Sequence, residues 1–142
     1  MKFSELSRRI GGIDLSTLEG RISYQKRMYF ANVLGVVKIN DYSWYVYGPY
    51  STYAARLGFD YIEDNNDSEI DVDESKIDKF NKFIQASGTS VTFLELISSI
   101  HFLKNNRNMS KDEIYKEIMN KRNYLGDTEE FTRAWKFLEV FF

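Results

Sequence analysis

One proline serves the whole chain. It stands inside Trp44-Tyr45-Val46-Tyr47-Gly48-Pro49-Tyr50-Ser51, a run that fixes where the backbone turns. The residues before it are aromatic and β-favouring. Those after it, Tyr53 to Leu57, read as helix. Proline locks φ and removes an N–H donor, so Gly48-Pro49 marks a corner between a strand and a helix. Pro49 is expected in the first turn of that helix, where the missing N–H costs nothing. Strand alternation would send Tyr45 and Tyr47 to one face and Trp44 to the other. The run supplies no nucleophile, base or metal ligand. It constrains architecture rather than chemistry.

At 142 residues, with 43% hydrophobic and 28% charged residues, the chain is expected to form a single domain over residues 1–142. Aromatic residues make up 16%, enough to fill a core with few side chains and to leave rings for a sticky surface. A net charge of −2 does not favour nucleic acid or an anionic membrane. Absence of cysteine removes disulfides, thiolate catalysis and cysteine metal sites. No apolar run approaches the ~20 residues that span a bilayer. Residues 1–10 lack the apolar stretch of a signal peptide, so a cytoplasmic location is expected.

Local patterns divide the chain. Phe3 to Ile10 reads as a short helix ended by Gly11-Gly12. Ser16-Thr17-Leu18-Glu19 reads as a capping box with Ser16 as N-cap. Its helix runs to Leu34, with Gly35 beyond the C-terminus and Leu18, Ile22, Tyr29 and Val33 turned to the core. Gly20 costs about 1 kcal/mol relative to alanine inside a helix, so another backbone should approach closely there. Val36–Ile39 and Tyr42–Tyr47 suggest a hairpin around Asn40-Asp41. The helix after Pro49 should end near Leu57-Gly58. A second hairpin would pair Phe59–Glu63 with Glu69–Asp73, a polar loop being the competing reading. Beyond Asp73 the chain reads helical. Ile77, Phe80 and Ile84 share a face, and Phe93 to Leu103 is apolar nearly all round, as in a central helix. A second capping box, Ser110 to Glu113, opens a helix through Lys121, and Asp127-Thr128-Glu129-Glu130 opens the last. The fold class is therefore mainly α, a compact helical domain with one or two small β-hairpins.

Few residues suggest chemistry. The sole histidine, His101, has no second histidine or cysteine to share a metal, which favours a structural role. Asp60, Glu63, Asp64, Asp67, Glu69, Asp71, Asp73 and Glu74 lack the spacing of a calcium loop and read as a solvated acidic segment that would repel phosphate. Glu95, in the most apolar helix, needs a partner if ionised. Arg21, Lys26 and Arg27 are the natural suppliers, Arg21 first. A general acid with a raised pKa is the alternative role for Glu95. Basic residues and rings alternate over residues 21–30, a pattern used on single-stranded nucleic acid, but helical spacing sends them to different faces. No phosphate loop, serine elbow or paired metal motif is present. No cofactor and no metal are expected.

Gly20-Arg21-x-x-x-Gln25-Lys26-x-x-Tyr29, followed by Tyr42-x-Trp44-Tyr45-x-Tyr47-Gly48-Pro49-Tyr50-Ser51, resembles the YwgA-type family of prokaryotic proteins. That family has a Gly-Arg-x-x-Leu-Gln-Lys helix and a Gly-Pro-Tyr-Ser corner. Tyr24 stands where it usually has leucine. The layout is also similar to the Panacea domain of antitoxins and accessory proteins. Glu95-Leu96, Ile100 to Leu103 and Ala134 to Leu138 resemble the later helices. The resemblance implies a mainly helical domain with a small β element and, through Panacea members, partner binding such as toxin neutralisation. It implies no catalytic residue.

The reading of the sequence is thus a non-enzymatic interaction module, regulatory or antitoxin-like, with an unidentified protein partner and no membrane. A winged-helix-like nucleic-acid-binding regulator is the first alternative and an enzyme using Glu95 the second. The structural or interaction candidates are Arg21, Gln25, Lys26, Tyr29, Trp44, Tyr45, Tyr47, Gly48, Pro49, Tyr50, Ser51 and Glu95.

Overall fold

The computed structural model of the chain describes residues 1–121 and 127–142. The elements run α1 (Phe3–Arg9), α2 (Leu18–Val33), β1 (Tyr42–Tyr45), β2 (Gly48–Ser51), α3 (Thr52–Glu63), a 3-10 turn at Glu74–Lys76, α4 (Ile77–Ser87), α5 (Val91–Asn106), α6 (Lys111–Lys121) and α7 (Thr128–Phe141). The protein is mainly α-helical, and among the described residues its one sheet is the antiparallel pair β1–β2. No helix of the described residues is long and apolar enough to cross a membrane.

The apolar helix expected at the centre is there. Helix α5 buries Leu94, Leu96, Ile97, Ile100, Phe102 and Leu103, and α2, α6, α7 and β2 pack around it. Each such side chain contributes about 1.5–3 kcal/mol when fully buried, so packing rather than helix propensity holds α5 in place. The caps at the later helices follow the sequence. Ser110 Oγ accepts from Glu113 N while Glu113 Oε1 accepts from Ser110 N, the reciprocal box. Asp127 caps α7 through Glu130 N. On α4 the buried face is Ile77, Phe80 and Phe83, with Ile84 half-buried at its margin.

Helix α2 starts one residue later than the capping box suggested. Thr17, not Ser16, accepts from Gly20 N, because Ser16 is already bonded through both N and Oγ to Asp14. Gly20 is required for the reason expected: a Cβ there would overlap the Asp14 carbonyl oxygen. The inward face of α2 is shifted. Tyr24, Met28, Tyr29, Phe30 and Ala31 are buried, whereas Leu18 is 47% exposed and Ile22 and Val33 only half-buried.

The corner differs most from the sequence reading. Val36–Ile39 is not a strand. The hairpin joins Tyr42–Tyr45 to Gly48–Ser51 through a turn at Val46-Tyr47, with Trp44 opposite Pro49. Pro49 therefore lies in β2 rather than in the first turn of α3, which is capped by Ser51. The proline costs nothing in the strand because its position faces outward from the ladder, where no cross-strand N–H is needed. Tyr42 and Trp44 face inward and Tyr45 is exposed, while Tyr47 belongs to the turn.

Nor does α3 stop at Gly58. It continues through Phe59–Glu63, so the expected second hairpin does not form. Gly58 is a crossing point instead, where a Cβ would stand 2.9 Å from Ile13 Cδ1 and 3.1 Å from Leu15 Cδ1. Residues 67–74 run as a polar connection whose acids hold α1. Asp67 accepts from Ser4 N and Ser4 Oγ, and Glu74 pairs with Arg9 at 2.6 Å. Ile70 is tucked into the core cluster.

Candidate interaction site

Three consecutive residues of α2 organise the corner. Tyr24 Oη donates to the Ala54 carbonyl at 2.6 Å. Gln25 Nε2 donates to Ser51 O at 2.9 Å, and Gln25 Oε1 accepts from Ser51 N at 3.0 Å. Lys26 Nζ, on a side chain 1% exposed, donates to Pro49 O at 2.6 Å. The ammonium needs only a carbonyl, so a residue without an N–H suits this position. Ser51 Oγ accepts from Ala54 N and donates to Asp41, whose other oxygen accepts from Tyr53 N. Gln25, Lys26, Pro49, Tyr50 and Ser51 are thus brought together by sequence-distant contacts.

Gly48 closes the corner against α5. Its φ is +93°, and a Cβ would overlap Ser99 Oγ and stand 3.5 Å from Lys26 Nζ. Glu95, 2% exposed, and Ser99 one turn later line a narrow crevice with Trp44, Gly48 and Lys121. The crevice has no room for a water-sized molecule. The expected first partner of Glu95 is elsewhere: Arg21 is exposed and its guanidinium donates to the Leu15 carbonyl. The first turn of α2 faces the surface there, and Lys26 is the base of this helix that reaches the buried corner.

Tyr29 is joined to the neighbouring wall of the core. Its hydroxyl lies 2.6 Å from His101 Nδ1. Burial, and then the nearby Lys104 charge, lower the His101 pKa to about 4. The Nε2–H tautomer of the neutral ring would accept at Nδ1 from the Tyr29 hydroxyl, and burial raises the phenol above its ordinary pKa. The His101 ring packs against Tyr29, Phe30 and Phe142. Among the described residues no group of histidines and carboxylates is placed to hold a metal ion.

On the other side of α2 the corner opens into a groove of about 420 Å3. Leu15, Leu18, Ile22, Tyr47, Tyr50 and Phe59 supply its apolar lining, with Arg21 and Glu63 as charged groups. Phe59 is 53% exposed and Ile62, on the same helix, 46%. Leu15 and Phe59 were not among the sequence candidates. The signal for Phe59 was present in the large apolar residues that flank Gly58, but it reads as strand or core when the groove is not known. Tyr45 lies beyond the groove, edge-on to Tyr50 at 5.1 Å.

Trp44 belongs to the far face of the hairpin. Its ring is stacked on Phe102, its Nε1 donates to Glu117 Oε1 at 3.1 Å, and Lys121 Nζ stands 4.7 Å from the ring centroid. Comparison with protein-family models, curated proteins and solved structures yields no match to the chain.

Proposed function

We propose that the chain is a non-enzymatic protein-binding module whose groove between α2, the hairpin and α3 receives an apolar segment of a partner. The observation that carries this reading is the groove itself, a largely apolar recess of about 420 Å3 bounded by exposed Leu18 and Phe59. Large apolar side chains left in water beside a recess mark interaction sites. Arg21 and Glu63 add opposite charges, which suits an apolar segment carrying an acid near Arg21 and a base near Glu63. The resemblance to YwgA-type and Panacea proteins makes a regulatory or toxin-like partner the class to try first. A general-acid role for Glu95 gains no support from a crevice that cannot admit a substrate.

A photo-crosslinking amino acid placed at Leu18 or at Phe59 tests the reading in native cells. The expected result is one common protein crosslinked from both positions but not from Val140, and lost on Arg21→Glu or Ile22→Glu. Different proteins from the two positions, or a product indifferent to both substitutions, would overturn it.

A second reading has its own observation. Lys104 and Lys111 flank the Trp135 ring at 5.0 and 5.2 Å, and Arg133 lies over Phe93 at 4.9 Å. Cations beside rings are the elements of a single-strand nucleic-acid surface. Salt-sensitive anisotropy changes with single-stranded RNA, reduced by Lys104→Glu and Lys111→Glu, would favour this reading over the groove.

A further inference from the structure

The two edges of the hairpin are treated differently. In an antiparallel pair, successive residues point their N–H and C=O groups alternately toward the partner strand and away from it. Gln25 holds both backbone groups of Ser51 and Lys26 holds the Pro49 carbonyl, so Pro49 and Ser51 are the outward positions of β2. Side chains of α2 stand there in place of a further strand. The register pairs Trp44 with Pro49 and Tyr42 with Ser51, which makes Tyr42 and Trp44 the outward positions of β1. Among the described residues nothing hydrogen-bonds to the backbone N–H or C=O of either. Strand β1, Tyr-Ser-Trp-Tyr, carries neither proline nor lysine, the residues that commonly guard an edge. Asp41, Ser43, Tyr45 and Val46 along it are exposed.

We infer that the outer edge of β1 is a docking site for an extended acidic segment of a partner protein, which adds as a third strand. Tyr42 and Trp44 offer two donor–acceptor pairs spaced about 6.8 Å apart, the repeat of an extended backbone. The side chain opposite Trp44 would fall on the inward face, beside Lys121 over the Trp44 ring and Arg107 over Phe102 at 6.0 Å. Partial burial lowers the Lys121 pKa, the Glu117 carboxylate opposes that, and the Arg107 charge adds to it. An incoming carboxylate would offset the repulsion between Lys121 and Arg107 with its own charge, as the Glu117 carboxylate does in part. An acid is therefore favoured opposite Trp44, while side chains opposite Ser43 and Tyr45 face solvent and are tolerated broadly. This inference stands apart from the groove, which lies on the α2–α3 side of the hairpin.

The test pans a phage-displayed library of random linear peptides against the whole chain. Enriched peptides are expected to carry Asp or Glu and to protect the Tyr42 and Trp44 amides from hydrogen exchange. N-methylation at alternate peptide residues should abolish binding, with the intervening positions tolerant. Lys121→Glu should weaken an acid-bearing peptide roughly tenfold. Failure to enrich any peptide would overturn the inference, as would binding indifferent to N-methylation or protection confined to α2 and α3 around the groove. Protection of Tyr42 and Trp44 that grows with protein concentration in the absence of peptide would assign the edge to a second copy of this chain and also overturn it.

Discussion

The side-chain amide of Gln25 meets the backbone of Ser51 as a neighbouring strand would, donating to its carbonyl and accepting from its N–H at 2.9 and 3.0 Å. Ser51 is fully buried, so these two groups have no water to fall back on. Gln25→Leu is expected to destabilise the fold by about 2–4 kcal/mol, since stranding a buried donor and acceptor costs their desolvation. Urea unfolding followed by circular dichroism measures this. A loss under 1 kcal/mol would show that the corner finds other partners.

Gly48→Ala meets two costs, a left-handed backbone and a collision with Ser99 Oγ. A loss of about 2–3 kcal/mol is expected, of which ~1 kcal/mol is the backbone part. Combining it with Ser99→Ala removes the colliding oxygen and leaves an ordinary 3.6 Å approach to the Ser99 Cβ. The double variant should therefore be more stable than Gly48→Ala alone. Strict additivity of the two losses would place the strain elsewhere.

Arg21 and Glu95 do not share a site. Arg21→Ala is expected to change stability by less than about 0.5 kcal/mol, as at most exposed positions. Glu95→Ala disturbs a buried polar corner and should cost about 2–4 kcal/mol. A double-mutant cycle should give no coupling between them. A coupling above ~1 kcal/mol would restore their pairing.

His101 predicts a pH dependence. Its folded pKa, near 4, lies below the unfolded value of 6.5, so the unfolded chain binds more protons between the two. Stability contributed by the neutral ring is present above pH 6.5 and declines as the pH falls toward 4. The full effect is on the order of 3 kcal/mol. Exposed carboxylates held low by hydrogen bonds, such as Asp67 through Ser4 and Asp73 through Ser75, lose stability in the same direction on acidification. The measurement is therefore a difference. The gap between the parent chain and His101→Gln should narrow from pH 7 to pH 4. A gap that stays constant would show that His101 does not titrate differently on folding.

Much of the helical frame can be read directly from the chain. The apolar girth of Phe93 to Leu103 placed α5 at the centre, and the Ser110–Glu113 pair marked its helix start because a capping box is completed within four residues. The corner could not be read this way. Whether Pro49 sits in a strand or a helix depends on Gln25 and Lys26, more than twenty positions upstream, and no local rule contains them. Residues 59–63 misled for another reason. Phe59 and Ile62 are large apolar groups that the fold leaves in water, so they break the link between apolar period and buried face on which such readings rest. Leu18, first on the expected inward face of α2, fails in the same way. These exceptions lie at or beside the groove. Local consistency is expected to fail at sites kept for another molecule.

The fastening of β2 by side chains of α2 has a consequence for the order of folding. A two-stranded hairpin is marginal by itself in water, and this one depends on contacts that span residues 25 and 51. Without α2 in place β2 loses those partners, so β1 is expected to take and keep its extended form only together with α2. The β1 edge, unpaired among the described residues, is then a property of the finished molecule. Whatever binds there distinguishes a completed chain from a nascent or damaged one.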